Sequence, residues 1–363
     1  QMVTSSAQSM AFSADERLVA LLGQDNMIHL CETGTGKVRH RLGKDMPRDG
    51  RMFFGNDTAA IFAFSMDGKL LASSTGAYDP ETNTQDTSVR VWDVATGKEL
   101  LQVETDGGNI PGRPIFYGAR VPFAWSPDNR TLAVGQNKIR LWEIRTQGVR
   151  RELAGHTDAP IRALAFSPDG RALASGSADT TVLIWDTTDR NRPTSAPREP
   201  GELEKRWRAL AEDDAAKAYA AIRDLAAAPD ETISWIKERI KPADAIDPKH
   251  IDDLISQLDN EQFKVRQKAS ADLLHIGERA IAALDKALAG TPTLETSRRL
   301  QDLRKRAGGL ILKGDSLQAF RAVEVLERIG TPKAREVLQI LADGATGAQV
   351  TTQAREALGR LGN

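Results

Sequence analysis

One cysteine, Cys31, is all the thiol chemistry available in 363 residues. It excludes an intramolecular disulfide and any cysteine-based zinc cage. Long apolar runs are also missing: none approaches the ~18–20 residues that a membrane-spanning helix needs. Charge of one sign is not in excess, since 49 Lys and Arg stand against 50 Asp and Glu. No global field therefore points to nucleic acid or to an anionic membrane. The balance holds locally, with 26 basic and 26 acidic residues from Gly201 onward and 23 and 24 before it. A Walker phosphate loop, a Gly-x-Ser-x-Gly elbow and a His-Glu-x-x-His pair are all absent from the sequence. The chain opens on Gln1 with no signal-peptide pattern behind it. The expectation is a cytoplasmic protein whose natural amino terminus, with any targeting signal, lies upstream.

What the front half does have is repetition. Four segments share a hydrophobe-Ser-x-Asp start: Phe12-Ser13-Ala14-Asp15, Phe64-Ser65-Met66-Asp67, Trp125-Ser126-Pro127-Asp128 and Phe166-Ser167-Pro168-Asp169. A base follows each (Arg17, Lys69, Arg130, Arg171), then an apolar–Ala pair: Val19-Ala20, Leu71-Ala72, Leu132-Ala133, Leu173-Ala174. Polar turns between short apolar runs predict β-hairpins. Three repeats close on an alternating strand that ends in Trp and an acid: Trp92-Asp93, Trp142-Glu143 and Trp185-Asp186. Cys31-Glu32 fills that column in the first. The column recurs at intervals of 61, 50 and 43 residues, the last close to the ~40–45 of a four-stranded propeller blade. Extra residues break the rhythm around 44–50 and 75–87, the second stretch falling between two strands of one blade.

These residues resemble the WD-repeat family over roughly residues 1–190. The fullest copy is the last, with Gly155-His156, Ser175, Asp179 and Trp185. The resemblance implies that His156, Ser175, Asp179 and Trp185 form a hydrogen-bonded network inside the blade. A His–Asp–Ser set also looks like a catalytic triad, but each member occupies a repeat column, which favours architecture. The other copies depart from the pattern. Asp25 and Asp86 keep the turn acid six residues before the Trp column, Gln136 replaces it in the third, and the first three lack Gly-His. In the last repeat Arg151-Glu152-Leu153 lies about 13 residues before Phe166, and the same distance before Phe12 falls off the front of the chain. Nothing after Asp186 reads as a further strand. The expectation is a partial propeller of about four blades, from a longer protein.

Residues 191–201 carry three prolines and no large apolar side chain, which is linker composition. Beyond them the apolar period changes from two to 3.6. Leu203, Trp207 and Leu210 mark one helix face, and Ala218, Ile222 and Leu225 another, opened by Asp213-Asp214; Pro229-Asp230 starts a third helix. Ala269, Leu273, Ile276 and Gly277 share their spacing with Ala322, Leu326, Ile329 and Gly330, and with Ala354, Leu358, Leu361 and Gly362. Second helices are expected at 280–288 and 334–341. The pattern resembles HEAT-type helical pairs, although its steps of 53 and 32 residues are unequal. The tail also resembles a region that follows WD repeats in large planctomycete-type bacterial proteins, and that resemblance carries no assigned reaction. His250 with Asp252 and Asp253, and Arg298-Arg299 with Arg304-Lys305-Arg306, read as solvated helix faces.

The expected architecture is therefore β then α: a partial WD40 propeller over 1–190, a linker over 191–201 and an all-helical, HEAT-like domain over 202–363. The expected function is a non-catalytic protein–protein interaction scaffold, with no catalytic, metal or cofactor site, no nucleic-acid partner and partners that are other proteins. The alternative is a regulatory arm of a larger protein whose enzymatic or DNA-binding domain lies upstream of residue 1.

Overall fold

The computed structural model describes residues 9–23, 27–43, 61–74, 77–79, 84–86, 88–103, 121–157, 159–189, 200–290, 292–309 and 311–362. The insertion at 44–50, Asp25 and residues 191–199 of the expected linker lie outside them. The chain divides into two compact units, Gln1–Arg192 and Pro193–Asn363.

The first unit is a series of antiparallel meanders. Sheet one holds β1 (Met10–Phe12), β2 (Leu18–Leu22), β3 (Ile28–Glu32) and β4 (Val38–Leu42) in that order. Sheet two starts with β5 (Ile61–Phe64) and β6 (Leu70–Ser74). After a separate small hairpin, β7 (Ala77–Asp79) with β8 (Thr84–Asp86), it resumes with β9 (Val89–Asp93) and β10 (Glu99–Val103). Of the insertion expected at 75–87, the described residues 77–79 and 84–86 fall in sequence between β6 and β9 of one sheet. Sheet three holds β11 (Phe123–Trp125), β12 (Thr131–Gly135), β13 (Ile139–Glu143) and β14 (Gly148–Leu153). Sheet four has three strands among the described residues: β15 (Ile161–Phe166), β16 (Ala172–Ser177) and β17 (Val182–Asp186).

The hydrophobe-Ser-x-Asp column becomes one turn built four times. In each, the Ser hydroxyl donates to the Asp carboxylate two residues on, as Ser13 does to Asp15 at 2.6 Å and Ser167 to Asp169 at 2.6 Å. The same oxygen accepts the backbone N–H five residues on: Leu18, Leu70, Thr131 and Ala172 at 2.9–3.0 Å. The carboxylate also takes the N–H of the basic residue that follows it. A hydroxyl is required because only it donates and accepts at once. The turn's fourth residue adopts a left-handed conformation, as Gly68 and Gly170 but also as Glu16 and Asn129.

The Ala column has an equally physical cause. Ala20, Ala72 and Ala133 are fully buried. Ala20, Ile28 and Leu30 of sheet one pack against Phe62, Phe64, Leu71 and Trp92 of sheet two. Ala133, Ile139 and Leu141 of sheet three pack against Leu164, Phe166, Leu173 and Trp185 of sheet four. A small side chain in mid-sheet makes room for the large ones of the next sheet. The first strands of successive sheets lie side by side, β1 by β5, β5 by β11 and β11 by β15. Between sheets two and three, Trp125 donates its indole N–H to the Ala63 carbonyl at 3.0 Å, and Asn129 accepts the Met66 N–H at 2.7 Å.

The second unit is all helical: α1 (Pro200–Ala209), α2 (Ala215–Ala226), α3 (Pro229–Arg239), α4 (Pro248–Gln257), α5 (Phe263–Ile276), α6 (Ile281–Ala289), α7 (Leu294–Ala307), α8 (Gly314–Ile329), α9 (Pro332–Ala342) and α10 (Gln349–Gly362). The first helix starts at Pro200, inside the stretch read as linker, because proline is suited to a first helical turn. Asp214 caps α2 by accepting from the Ala216 and Lys217 N–H groups. Two cores form. One joins α1, α2, α3, α8, α9 and α10 through Trp207, Ile222, Ile236, Leu326, Leu338 and Ala354. The other joins α4 to α7 through Leu254, Ala269, Leu273, Leu284 and Leu300. The three alanines of the weak repeat, Ala269, Ala322 and Ala354, are all fully buried. The step of 53 residues is long because α7 intervenes, and the first copy belongs to the other core.

The turn geometry yields a test. Glu16 holds φ of +59° at a position where two sister turns use glycine. Glu16→Gly is expected to stabilise the protein by about 0.5–1 kcal/mol, the left-handed penalty less glycine's entropy, read as a rise in denaturant midpoint.

Candidate functional site

The densest polar arrangement of the first unit lies in sheet four, on the residues singled out by the resemblance. Trp185 Nε1 donates to Ser175 Oγ at 2.8 Å, and Ser175 Oγ lies 2.8 Å from His156 Nε2. His156 Nδ1 lies 2.9 Å from Asp179 Oδ2. One proton arrangement satisfies every group: Trp185 donates to Ser175, Ser175 to Nε2, and Nδ1–H to Asp179. Gly155 allows this, since a Cβ there would stand 2.8 Å from the Trp185 ring. Asp179 sits in the β16–β17 turn and also accepts the Thr181 hydroxyl at 2.6 Å, the Thr181 N–H and the Thr157 N–H. The Thr181 hydroxyl above all, with His156 and the two N–H groups, holds the Asp179 carboxyl far below the usual carboxylate range, against the opposing effect of desolvation. Thr181 was not singled out in the sequence, although it follows the turn acid by two residues.

The connectivity Ser–His–Asp matches a triad, but its chemistry does not. Ser175 is 1% exposed and its oxygen already accepts the Trp185 N–H. A nucleophile needs an approach path to a substrate carbon, and this one is enclosed by its own sheet.

The Trp column differs from sheet to sheet. Trp92 donates to Ser73 Oγ at 2.9 Å, the place that Ser175 holds in sheet four. In sheet three Val134 occupies it, and among the described residues Trp142 Nε1 has no acceptor. Cys31 is buried, and burial pushes its thiol up. The Asp86 backbone lies in β8.

Sequence reasoning missed a buried ion pair. Glu143 accepts from Arg150 at 2.5 Å and from the Thr146 hydroxyl at 2.5 Å, with both charged side chains at most 3% exposed. Glu32, Thr35 and Arg39 repeat the arrangement at the surface of sheet one. The shared spacing Glu-x2-Thr-x3-Arg was the signal. Arg151 of β14 reaches past its own sheet to the Asp186 carbonyl at 2.9 Å and the Asp189 carboxylate at 2.6 Å.

In the helical unit His250 is exposed on α4. Among the described residues no three His, Cys, Asp or Glu side chains converge as metal ligands, and no helix is long and apolar enough to cross a membrane. The basic run of α7 is paired in part, Arg299 with Glu295 at 2.6 Å, Arg306 with Asp302 at 3.5 Å and Arg304 with Asp285. Arg321, fully buried on α8, donates to the Leu210 and Glu212 carbonyls at 2.8 and 2.7 Å, beyond the end of α1.

Residues 148–186 match the WD40 family profile (WD domain, G-beta repeat). The chain carries a WD40 repeat. The matched stretch runs from β14 through β17, so one sequence repeat supplies the last strand of one sheet and the first three of the next. Similar proteins include WD repeat and SOCS box-containing protein 1 of Danio rerio, 32% identical over 114 residues, 31% of this chain and 25% of the relative. Cell division cycle 20.6, cofactor of APC complex, of Arabidopsis thaliana is 28% identical over 184 residues, 48% and 37% of the two chains. Anaphase-promoting complex subunit cdh1 of Dictyostelium discoideum is 29% identical over 131 residues, 35% and 15%. The alignments thus span from 15% to 37% of these relatives' own lengths.

Two predictions follow from the sheet-four geometry. Ser175→Ala strands two groups, His156 Nε2 and Trp185 Nε1, whereas Ser73→Ala strands only the Trp92 N–H. The losses on chemical denaturation should be about 2–3 kcal/mol and about 1 kcal/mol respectively. Equal losses would remove the distinction. The depressed Asp179 carboxyl contributes stability that is fully present above its unfolded value of ~3.9 and is lost as pH falls toward the folded one. Asp179→Asn should therefore be less stable than wild type at neutral pH and lose less on acidification below pH ~4, in melts recorded across that range.

Proposed function

We propose that the chain is a non-catalytic protein–protein interaction scaffold. In this reading its sheets are blades of a WD40 propeller and its helices form HEAT-like pairs that offer a second surface. The observation that carries the proposal is the WD40 match together with its relatives, two of which are named as a cofactor and a subunit of a multiprotein complex. The His156, Ser175, Asp179 and Trp185 set then serves as an internal network that rigidifies one blade. Its enclosure in hydrogen bonds supports that role, because a satisfied buried network specifies a single packing. The β7–β8 hairpin is inserted between β6 and β9 of sheet two, and loops and insertions are where binding commonly resides.

The test combines two measurements on the full chain. Crosslinking of the purified protein with the proteins that co-elute with it in stoichiometric amounts should map contacts to exposed residues of the sheets or helices. Deletion of 77–86 should weaken any contact mapped to the hairpin. Screening against hydrolase and group-transfer substrates should return no turnover. Turnover that His156→Ala abolishes, in a protein whose melt remains cooperative, would overturn the scaffold reading.

A further inference from the structure

The helical unit holds separate cores, and its principal helix pairings follow that division. Helix α8 lies against α2, α3, α9 and α10, whereas α4 to α7 lie against one another. In sequence α4 to α7 interrupt the larger group, so two connections join the bodies. One, 240–247, leads in, and the stretch after Ala307 leads out. The first carries no helix or strand before Asp247. Its ends are anchored on different bodies, Ile240 against the larger core and Ile246 against the smaller. Between them Lys241, Pro242, Asp244 and Ala245 are exposed and Ala243 is half-buried. The second connection starts with Gly308-Gly309, where the chain leaves α7. By Leu312 it has joined the start of α8, through Leu317 and Phe320. Glycine has no Cβ to restrict rotation, and hinge motions are absorbed by a few residues at element ends.

Contacts from both bodies meet at the first connection. The Ala243 carbonyl accepts the Ala345 N–H at 2.8 Å, from the turn between α9 and α10. Gly344 of that turn is pressed against the same residue: a Cβ there would stand 2.8 Å from the Ala243 nitrogen and 2.7 Å from Thr351 Oγ1. From the other body, Arg279 donates through Nη1 to the Asp244 carbonyl at 2.9 Å. Its Nε donates to the Ile276 carbonyl at 3.3 Å, which aims the guanidinium. Adjacent carbonyls of one exposed connection are thus held by different bodies. We propose that α4 to α7 form an inserted body that swings on 241–245 and Gly308-Gly309, with Arg279 as the latch that holds it in one position. Bodies with separate cores stay packed while the angle between them changes, because a hinge moves the connections and leaves the interiors intact. Release breaks a single hydrogen bond to a carbonyl that water can then reach, so it costs far less than opening a core. The inference concerns motion within the helical unit and stands apart from the scaffold reading.

The experiment reads distance and protection on the full chain. Spin labels at Lys286→Cys on α6 and Glu336→Cys on α9, both exposed positions, report the separation of the bodies in a Cys31→Ala background. With Arg279 in place the chain should give one narrow distance distribution, and Arg279→Ala should widen it at least twofold. Hydrogen exchange on the same variant separates a latch from a structural support. A latch leaves protection unchanged within α4–α7 and within α8–α10, and raises exchange at the Ala345 amide. A support would instead raise exchange throughout α4–α7, which overturns the latch. Arg279→Lys keeps the charge but loses the two-point hold, so it should widen the distribution by less, and it serves if the alanine variant unfolds. Leu284→Ala, in the smaller core, should raise exchange over 248–307 and leave α2, α8 and α9 protected. Exchange that rises together in both bodies overturns the proposal. So does a distribution that keeps its original width in both Arg279 variants.

Discussion

Face-to-face packing of one sheet on the next is the interaction on which the rest of the first unit depends. A meander of three or four short strands has two broad faces and too little interior to bury either by itself. The chain solves this with an asymmetric sheet. A central alanine and two aliphatic residues form a low face on one side, and large residues on the first and second strands form a raised face on the other. Ala20 and Ala133 lie beneath residues of the following sheet. The asymmetry gives the series a direction and also fixes the character of its two outer faces.

Polar groups refine this packing without replacing it. The four Ser–Asp turns are nearly identical, because a tight reversal between two buried strands must satisfy the same N–H groups each time. The Trp column is less uniform. Trp185 is tied through Ser175 to His156 and Asp179, Trp92 is tied to Ser73 alone, and Trp142 has Val134 in that place. Sheet three has instead the enclosed Glu143–Arg150 pair near its β13–β14 turn. Different sheets thus meet one steric demand with different amounts of buried polarity. A buried pair of this kind is sensitive to loss of either partner rather than a large net source of stability.

The helical unit follows another logic, in which α4 to α7 share one core while α8 reaches back to α2 to build the other. Arg321 shows what this costs and how it is offset. A guanidinium with no exposure is helped here by carbonyls beyond the end of α1, which lack helical partners and accept its N–H groups. The α4–α7 core stands between the two parts of the larger one in sequence, which is why the repeat spacing there is uneven.

Much of this was legible in the sequence, because its causes are local. Ser and Asp two apart dictate a turn, alternation dictates a strand, and Asp214, Pro229, Gly277 and Gly330 mark helix ends where backbone N–H groups or left-handed dihedrals require them. The set His156, Ser175, Asp179 and Trp185 was legible through the resemblance to WD repeats, since His156 has no counterpart in the other three copies. What the sequence did not reveal depends on partners distant along the chain. Arg151 finds Asp189 only across two sheets, and Arg321 on α8 reaches the Leu210 and Glu212 carbonyls only because α8 folds back beside the end of α1. The sequence by itself determined strands, turns, helix ends and the change of period after the prolines. Tertiary structure alone decided which sheet covers which face, and that the described helices divide among separate cores rather than sharing one. The physical reason is that a side chain's type sets what it can bury, whereas only packing sets whether anything arrives to bury it.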